Sequence, residues 1–278
     1  MNKENMKKLK ISLTVLLALL FMCCATEDEQ RVVNFTQLVI ADEFNTDGAP
    51  NSNIWGFDIG TGENGWGNNE LQYYTDRTEN VKVENGVLLI TAQREDFEGS
   101  AFTSARLLTK DRFEQAFGRF EARIRLPFGQ GMWPAFWMLG ADIDENPWPA
   151  AGEIDIMEYR GQNPSVLIGS VHGPGYSGGN AISKEFELLN DRFDTSFHVF
   201  GVEWSPDAVN FYVDNILYNQ ITREDVTGPW VFDKPFFILM NLAVGGTFVG
   251  SPNDETVFPQ SMLVDYVRVY ENTNFRQN

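Results

Sequence analysis

The feature that most constrains this chain is a succession of short runs in which apolar and polar residues alternate, with no long helical period between them. Such runs occupy residues 81–83, 87–92, 119–126, 133–139, 153–158, 166–172, 199–204, 209–213, 236–242 and 263–270. Alternation with period two marks strands that bury one face. Turn signals separate the runs: Glu84-Asn85-Gly86, Pro127-Phe128-Gly129, Gly161-Gln162-Asn163-Pro164, Ser205-Pro206-Asp207 and Asp214-Asn215. The pattern predicts an all-β domain, a sandwich of two curved antiparallel sheets rather than an α/β fold. Residues 223–226 are the one stretch expected to make a helical turn. The chain carries no internal repeat, no heptad pattern and no second domain.

The amino terminus reads differently. Lys3, Lys7, Lys8 and Lys10 precede an apolar run over 11–22. That run is too short to span a bilayer as a mature helix, so residues 1–24 are expected to be an export signal peptide. Both cysteines, Cys23 and Cys24, close the run. Being adjacent, they cannot staple a fold. Their place suggests a lipoprotein-type signal with one cysteine lipidated, although Met22 stands where a small residue is usual. An acidic linker over 25–34, containing Glu27-Asp28-Glu29, leads into a domain over 35–271 and a polar tail over 272–278. The expected location is an outer-membrane or cell-surface lipoprotein, with a periplasmic or secreted protein as the alternative. The formal charge of −18 repels nucleic acid and anionic membranes and disfavours a polyanionic substrate. A neutral polymer fits better.

Residues 153–158 read Glu-Ile-Asp-Ile-Met-Glu. Alternation places Glu153 and Asp155 on one face of a strand, with Ile154 and Ile156 on the other. Glu158 has the wrong parity. It joins the other acids only if one residue, Ile156 or Met157, is absorbed in a β-bulge. Glu153 and Glu158 then stand four effective steps apart, a spacing from which inward-leaning carboxylates can form a retaining glycosidase pair. Two such acids cannot both ionise freely, so one supplies charge and the other a proton. The bland reading is an edge strand with its acids in water.

These six residues match the E-[IL]-D-x-x-E signature of glycoside hydrolase family 16, and WPAAGEIDIMEYRG resembles its laminarinase branch. Further stretches agree in order: GWGNNELQYYT at 65–75, GRFEARIRLPFGQGMWPAFWML at 118–139, HGPGYSGG at 172–179, HVFGVEWSPDAVNFYVD at 198–214, NLAVGG at 241–246 and VDYVRVYE at 264–271. The resemblance implies a β-jelly-roll with a concave substrate cleft. It also implies a retaining endo-β-1,3-glucanase with Glu153 as nucleophile, Asp155 as its assisting acid and Glu158 as acid/base. The extra residue Met157 sets the chain apart from relatives with an unbulged ExDxE. No organic cofactor is implied. The partner is a β-glucan polysaccharide, and a monomer is expected.

In the run 133–139, alternation puts Trp133 and Trp137 on one face and Phe136 and Met138 on the other. Indoles stack well on the apolar faces of sugars, and the resemblance makes Trp133, Trp137 and Trp148 substrate residues. His172, Arg106 and Asn68 lie in segments matching substrate-contacting parts of laminarinases, His172 near the acid/base. Trp204 and His198 read as structural. The resemblance further implies a structural Ca²⁺ held by Glu43, Gly86 and Asp265, from a first strand, an Asn-Gly turn and the last strand. Two other readings remain open at this point: hydrolysis of a mixed-linkage glucan or of a galactan such as agar, and a non-catalytic surface glucan-binding protein.

Overall fold

Asn85 and Gly86 both adopt positive φ (55° and 76°), as do Asp214 and Asn215 (49° and 65°). This is the backbone that two-residue hairpin connections demand. Such turns, marked in the sequence, join Val81–Glu84 to Val87–Phe97 and Ala208–Val213 to Ile216–Thr222. The computed structural model describes residues 37–271. The expected signal segment, the lipidation at Cys23 or Cys24, the acidic linker and the polar tail lie outside the described residues.

The strands form two sheets. The ten-stranded sheet runs in the order Ile216–Thr222, Ala208–Val213, His198–Trp204, Gly118–Arg125, Gln260–Glu271, Val87–Phe97, Ser100–Ser104 and Gln72–Tyr74. Gln37–Asp42 also pairs along Gln260–Glu271, and Val81–Glu84 along Val87–Phe97. The seven-stranded sheet runs Ile182–Glu187, Val166–His172, Glu153–Tyr159, Met132–Gly140, Phe236–Val244, Arg106–Leu108 and Gly56–Asp58. The sandwich is a jelly roll, as the alternation and the resemblance together imply. One pair, Gln72–Tyr74 with Ser100–Ser104, is parallel. The turn expected at 223–226 exists as a single bonded turn, Asp225 N–H donating to Thr222 C=O at 3.1 Å, and not as a helix.

Apolar residues of both sheets meet in one buried cluster. The seven-stranded sheet contributes Phe136, Met138, Ile154, Ile238, Met240 and Leu242. The ten-stranded sheet contributes Phe120, Ile124, Phe200, Val202, Trp204 and Val264. Trp204 is fully buried and donates its indole N–H to Phe232 C=O at 2.8 Å, as a core residue should. In Phe236–Val244 all nine residues are buried. The outward-facing ones, including Asn241, are therefore covered too, and this strand has no face washed by solvent.

Candidate active site

The bulge expected from parity is present. Against Met132–Gly140, the strand Glu153–Tyr159 pairs Asp155 with Trp137, skips Ile156, and resumes with Met157 opposite Phe136 and Glu158 opposite Ala135. Glu153 sits opposite Leu139. Ile156 and Met157 both go into the core, and the three acids share the outer face. One oxygen each from Glu153 and Asp155 and a ring nitrogen of His172 all lie within 4.8 Å of one another.

Each glutamate receives an indole N–H. Trp148 donates to Glu153 Oε2 at 2.7 Å, and Trp133 donates to Glu158 Oε1 at 3.1 Å. Trp148 is 46% exposed, so its ring is open to a ligand. Trp133 is nearly buried and packs on Phe248, ring centroids 5.0 Å apart. Gly246 (φ 101°) lies beside it. A Cβ there would come within 3.4 Å of the Trp133 ring and 3.0 Å of Asn68 O, so only glycine lets the chain pass so close.

His172 pairs in register with Glu153 on the neighbouring strand. Its Nε2 lies 2.9 Å from Asp155 Oδ2 and 4.0 Å from Glu153 Oε1. Its Nδ1 accepts the Gly178 N–H at 3.1 Å. A nitrogen that accepts carries no proton, so the ring proton sits on Nε2, facing Asp155. The histidine thus stands beside Asp155 and Glu153, at the nucleophile's end of the cluster rather than near the acid/base as the resemblance implies.

Burial dominates the electrostatics. It pushes Glu153 up to about 8, with the charge of Asp155 acting in the same direction. It pushes Glu158 up to about 7, helped by the charge of Glu153. Asp155 is driven well above the ordinary carboxylate range by burial and then by Glu158, against a hydrogen bond with Glu153. Three carboxyls in one dry patch cannot all be charged, so the cluster retains protons near neutral pH.

On the side away from His172, the floor continues through Trp137, Asn241, Arg106 and Asp58 on successive strands. At about 4.8 Å per strand, Arg106 stands roughly 14 Å from the acid strand. Arg106 lies over both Trp66 (4.7 Å) and Trp137 (4.8 Å) and ion-pairs with Asp58 at 2.9 Å. Asn68 reaches Glu70 Oε1 at 3.3 Å from a turn over Gly65–Asn69 that lies against this end of the floor. Trp137, Arg106 and Asn68, all expected from the sequence, gather here. Asp58, Trp66, Glu70, Tyr74 and Asn241 join them without having been expected. Asn241 alone carries a signal, as a polar residue inside the apolar run FFILMNLAV.

The two carboxylates expected to bind calcium each have an arginine partner. Glu43 lies just past Gln37–Asp42 rather than within a strand, and its two oxygens accept from Arg268 at 2.7 and 2.9 Å. Asp265 accepts from Arg123 at 2.6 Å. Both carboxylates expected beside Gly86 therefore face arginines of this chain. As placed, they do not form an oxygen cage for Ca²⁺.

The model of "Glycosyl hydrolases family 16" matches residues 68–268. A beta-glucanase of Rhodothermus marinus is 41% identical over 277 residues, spanning 96% of each chain. A glucan endo-1,3-beta-glucosidase of Cryptopygus antarcticus is 42% identical over 224 residues, 75% of this chain and 80% of that one. Among solved structures, the catalytic domain of an endo-1,3-beta-glucanase (laminarinase) from Thermotoga petrophila RKU-1 superposes with a TM-score of 0.82 at 47% identity, covering 86% of this chain and 98% of that one.

Proposed function

This chain belongs to the glycosyl hydrolases of family 16 and hydrolyses internal β-1,3 linkages of glucans, and from that premise we propose that it acts with retention on laminarin-like chains through Glu153, Asp155 and Glu158. The observation that carries the proposal is the bulge at Ile156, which turns all three acids onto one face. The mixed-linkage, galactan and non-catalytic readings are not favoured by the relatives.

Glu158 is the group to protonate the glycosidic oxygen. Its Oε1 is occupied by the Trp133 indole, which can only donate, so the proton belongs on Oε2. Glu153 attacks the anomeric carbon as the carboxylate, a form that burial opposes by raising it to about 8 and that the Trp148 N–H favours. For the attack the proton shared between Glu153 and Asp155 is assigned to Asp155, against the sense of their hydrogen bond, because its side chain is 4% exposed against 18% for Glu153 and burial raises it most. The glycosyl ester on Glu153 is then hydrolysed by a water that Glu158, now unprotonated, activates as base. Export with a lipid anchor at Cys23 or Cys24 belongs to the same proposal, supported by the basic and apolar leader.

Laminarin digestion followed by proton NMR tests the mechanism. The β-anomer is expected first, with the α-anomer growing only by mutarotation. An early α-anomer would overturn retention.

A further inference from the structure

Trp137, at the cleft floor, donates its indole N–H to Asn241 Oδ1 at 2.8 Å. An indole can only donate, so this bond fixes which end of the Asn241 amide is oxygen. The Asn241 Nδ2 then donates to the Tyr74 hydroxyl at 3.2 Å, and that hydroxyl passes its own hydrogen to Glu70 Oε2, also at 3.2 Å. The same oxygen accepts from Gln72 Nε2 at 2.7 Å. Gln72 cannot be turned round either, because its Oε1 accepts the Val244 N–H at 2.7 Å. Asn68 completes the set by donating to Glu70 Oε1. Every bond in the chain therefore points one way, from a donor-only indole to an accept-only carboxylate.

We propose that Glu70 is a positioning residue whose carboxylate terminates this one-way relay and thereby fixes the Trp137 indole, together with the Arg106 guanidinium lying over it, for binding of the glucan. The inference rests on the glucanase reading of the cleft. The links run through buried ground: Tyr74 and Gln72 are fully buried and Asn241 nearly so. A donor left facing a donor there has no water to turn to, so the relay holds as a unit or rearranges as one. Glu70 itself touches no catalytic acid. Its influence should fall on how the sugar chain is held, not on the bond-breaking step.

Glu70→Gln tests this, because the amide that replaces one carboxylate oxygen meets donors already aimed at it. Tyr74→Phe cuts the same chain one link earlier, leaves the buried ring in place and serves if Glu70→Gln folds poorly. For laminarin, each single variant should raise KM by about tenfold while kcat stays within about twofold, and the double variant should be no worse than the poorer single. A KM within twofold of wild type in both singles, a fall in kcat at constant KM, or a double variant equal to the product of the singles would overturn the relay.

A second readout needs no substrate. The change in tryptophan emission caused by Glu70→Gln should disappear in a Trp137→Phe background. An equal change in both backgrounds would also overturn the proposal. A wild-type protein that leaves laminarin intact would strike at the substrate reading, and this emission comparison would still decide the relay.

Discussion

The cleft face of the seven-stranded sheet and one end of the ten-stranded sheet each hold a histidine beside an aspartate. In the cleft, His172 Nε2 lies 2.9 Å from Asp155 and its other nitrogen accepts a backbone N–H. At the far sheet, His198 Nδ1 lies 2.7 Å from Asp214, and its Nε2 lies 2.9 Å from Ser196 Oγ. The distances are alike, but Asp155 Oδ2 makes no hydrogen bond while Asp214 Oδ2 is bonded to His198, and the two aspartates shift in opposite directions. Asp155 is dry and has two further carboxyls for neighbours, so its pKa rises. Asp214 also suffers from burial, but the His198 bond and the Val199 N–H outweigh it, and its pKa falls. A histidine–aspartate pair is therefore not a functional unit in itself. The number of like charges around it, and the water they keep, decides whether it stores a proton or anchors a turn.

Turnover should separate the two pairs most widely. Glu158→Gln is expected to lower kcat/KM on laminarin by about 10³-fold and Asp155→Asn by about 10²-fold. Asp214→Asn should stay within about twofold. Steady-state kinetics on laminarin measures all three, and equal losses at Asp155 and Asp214 would erase the distinction.

The pH profile is the next discriminator. Because Glu158 must be protonated to act and burial raises it to about 7, kcat/KM should fall on the alkaline side of that value, about tenfold per pH unit. Asp214→Asn should leave this limb in place.

The smallest effect is on stability, and its sign differs between the pairs. The raised carboxyls of the cleft favour the fold at low pH, and that support is lost as pH rises through their folded values, about 7 for Glu158 and about 8 for Glu153. Asp155→Asn removes one of them and should raise Tm by about 3 °C at pH 9, and by less at pH 5. The depressed Asp214 contributes above its ordinary pKa, and that contribution is lost as pH falls through its folded value. Since its side chain is 41% exposed, Asp214→Asn should cost under about 1 kcal/mol at pH 7 and nothing once the pH lies below its folded value. Thermal unfolding across pH checks both signs.

Much of this was legible before any coordinates. Parity alone separates Phe136 and Met138, in the core, from Trp133 and Trp137, on the cleft face. It also demands the bulge, because an acid of wrong parity had to be reconciled with its neighbours. The edge strands were not legible. Ile182–Glu187 exposes most of its residues, and Gln37–Asp42 is open along its first half, so neither carries the burial contrast that makes alternation readable. The Glu70 relay was hidden for a different reason. It joins residues 70, 74, 137 and 241 through side-chain orientation, which no periodicity encodes. The turn beside it places Trp66 at φ 54°, a left-handed conformation for which a tryptophan gives no warning.

The bulge has a consequence for how the catalytic spacing is inherited. Glu153 and Glu158 are separated by five residues on their own strand but by four on the next, from Leu139 to Ala135. The neighbouring strand is the ruler. Removing Ile156 would leave Glu-Ile-Asp-Met-Glu lying flat against the same five residues, with its end acids still on one face and still the same distance apart. A lineage can therefore gain or lose that residue in a single step without moving its acids, because the dimension that matters is written one strand away from the motif that names it.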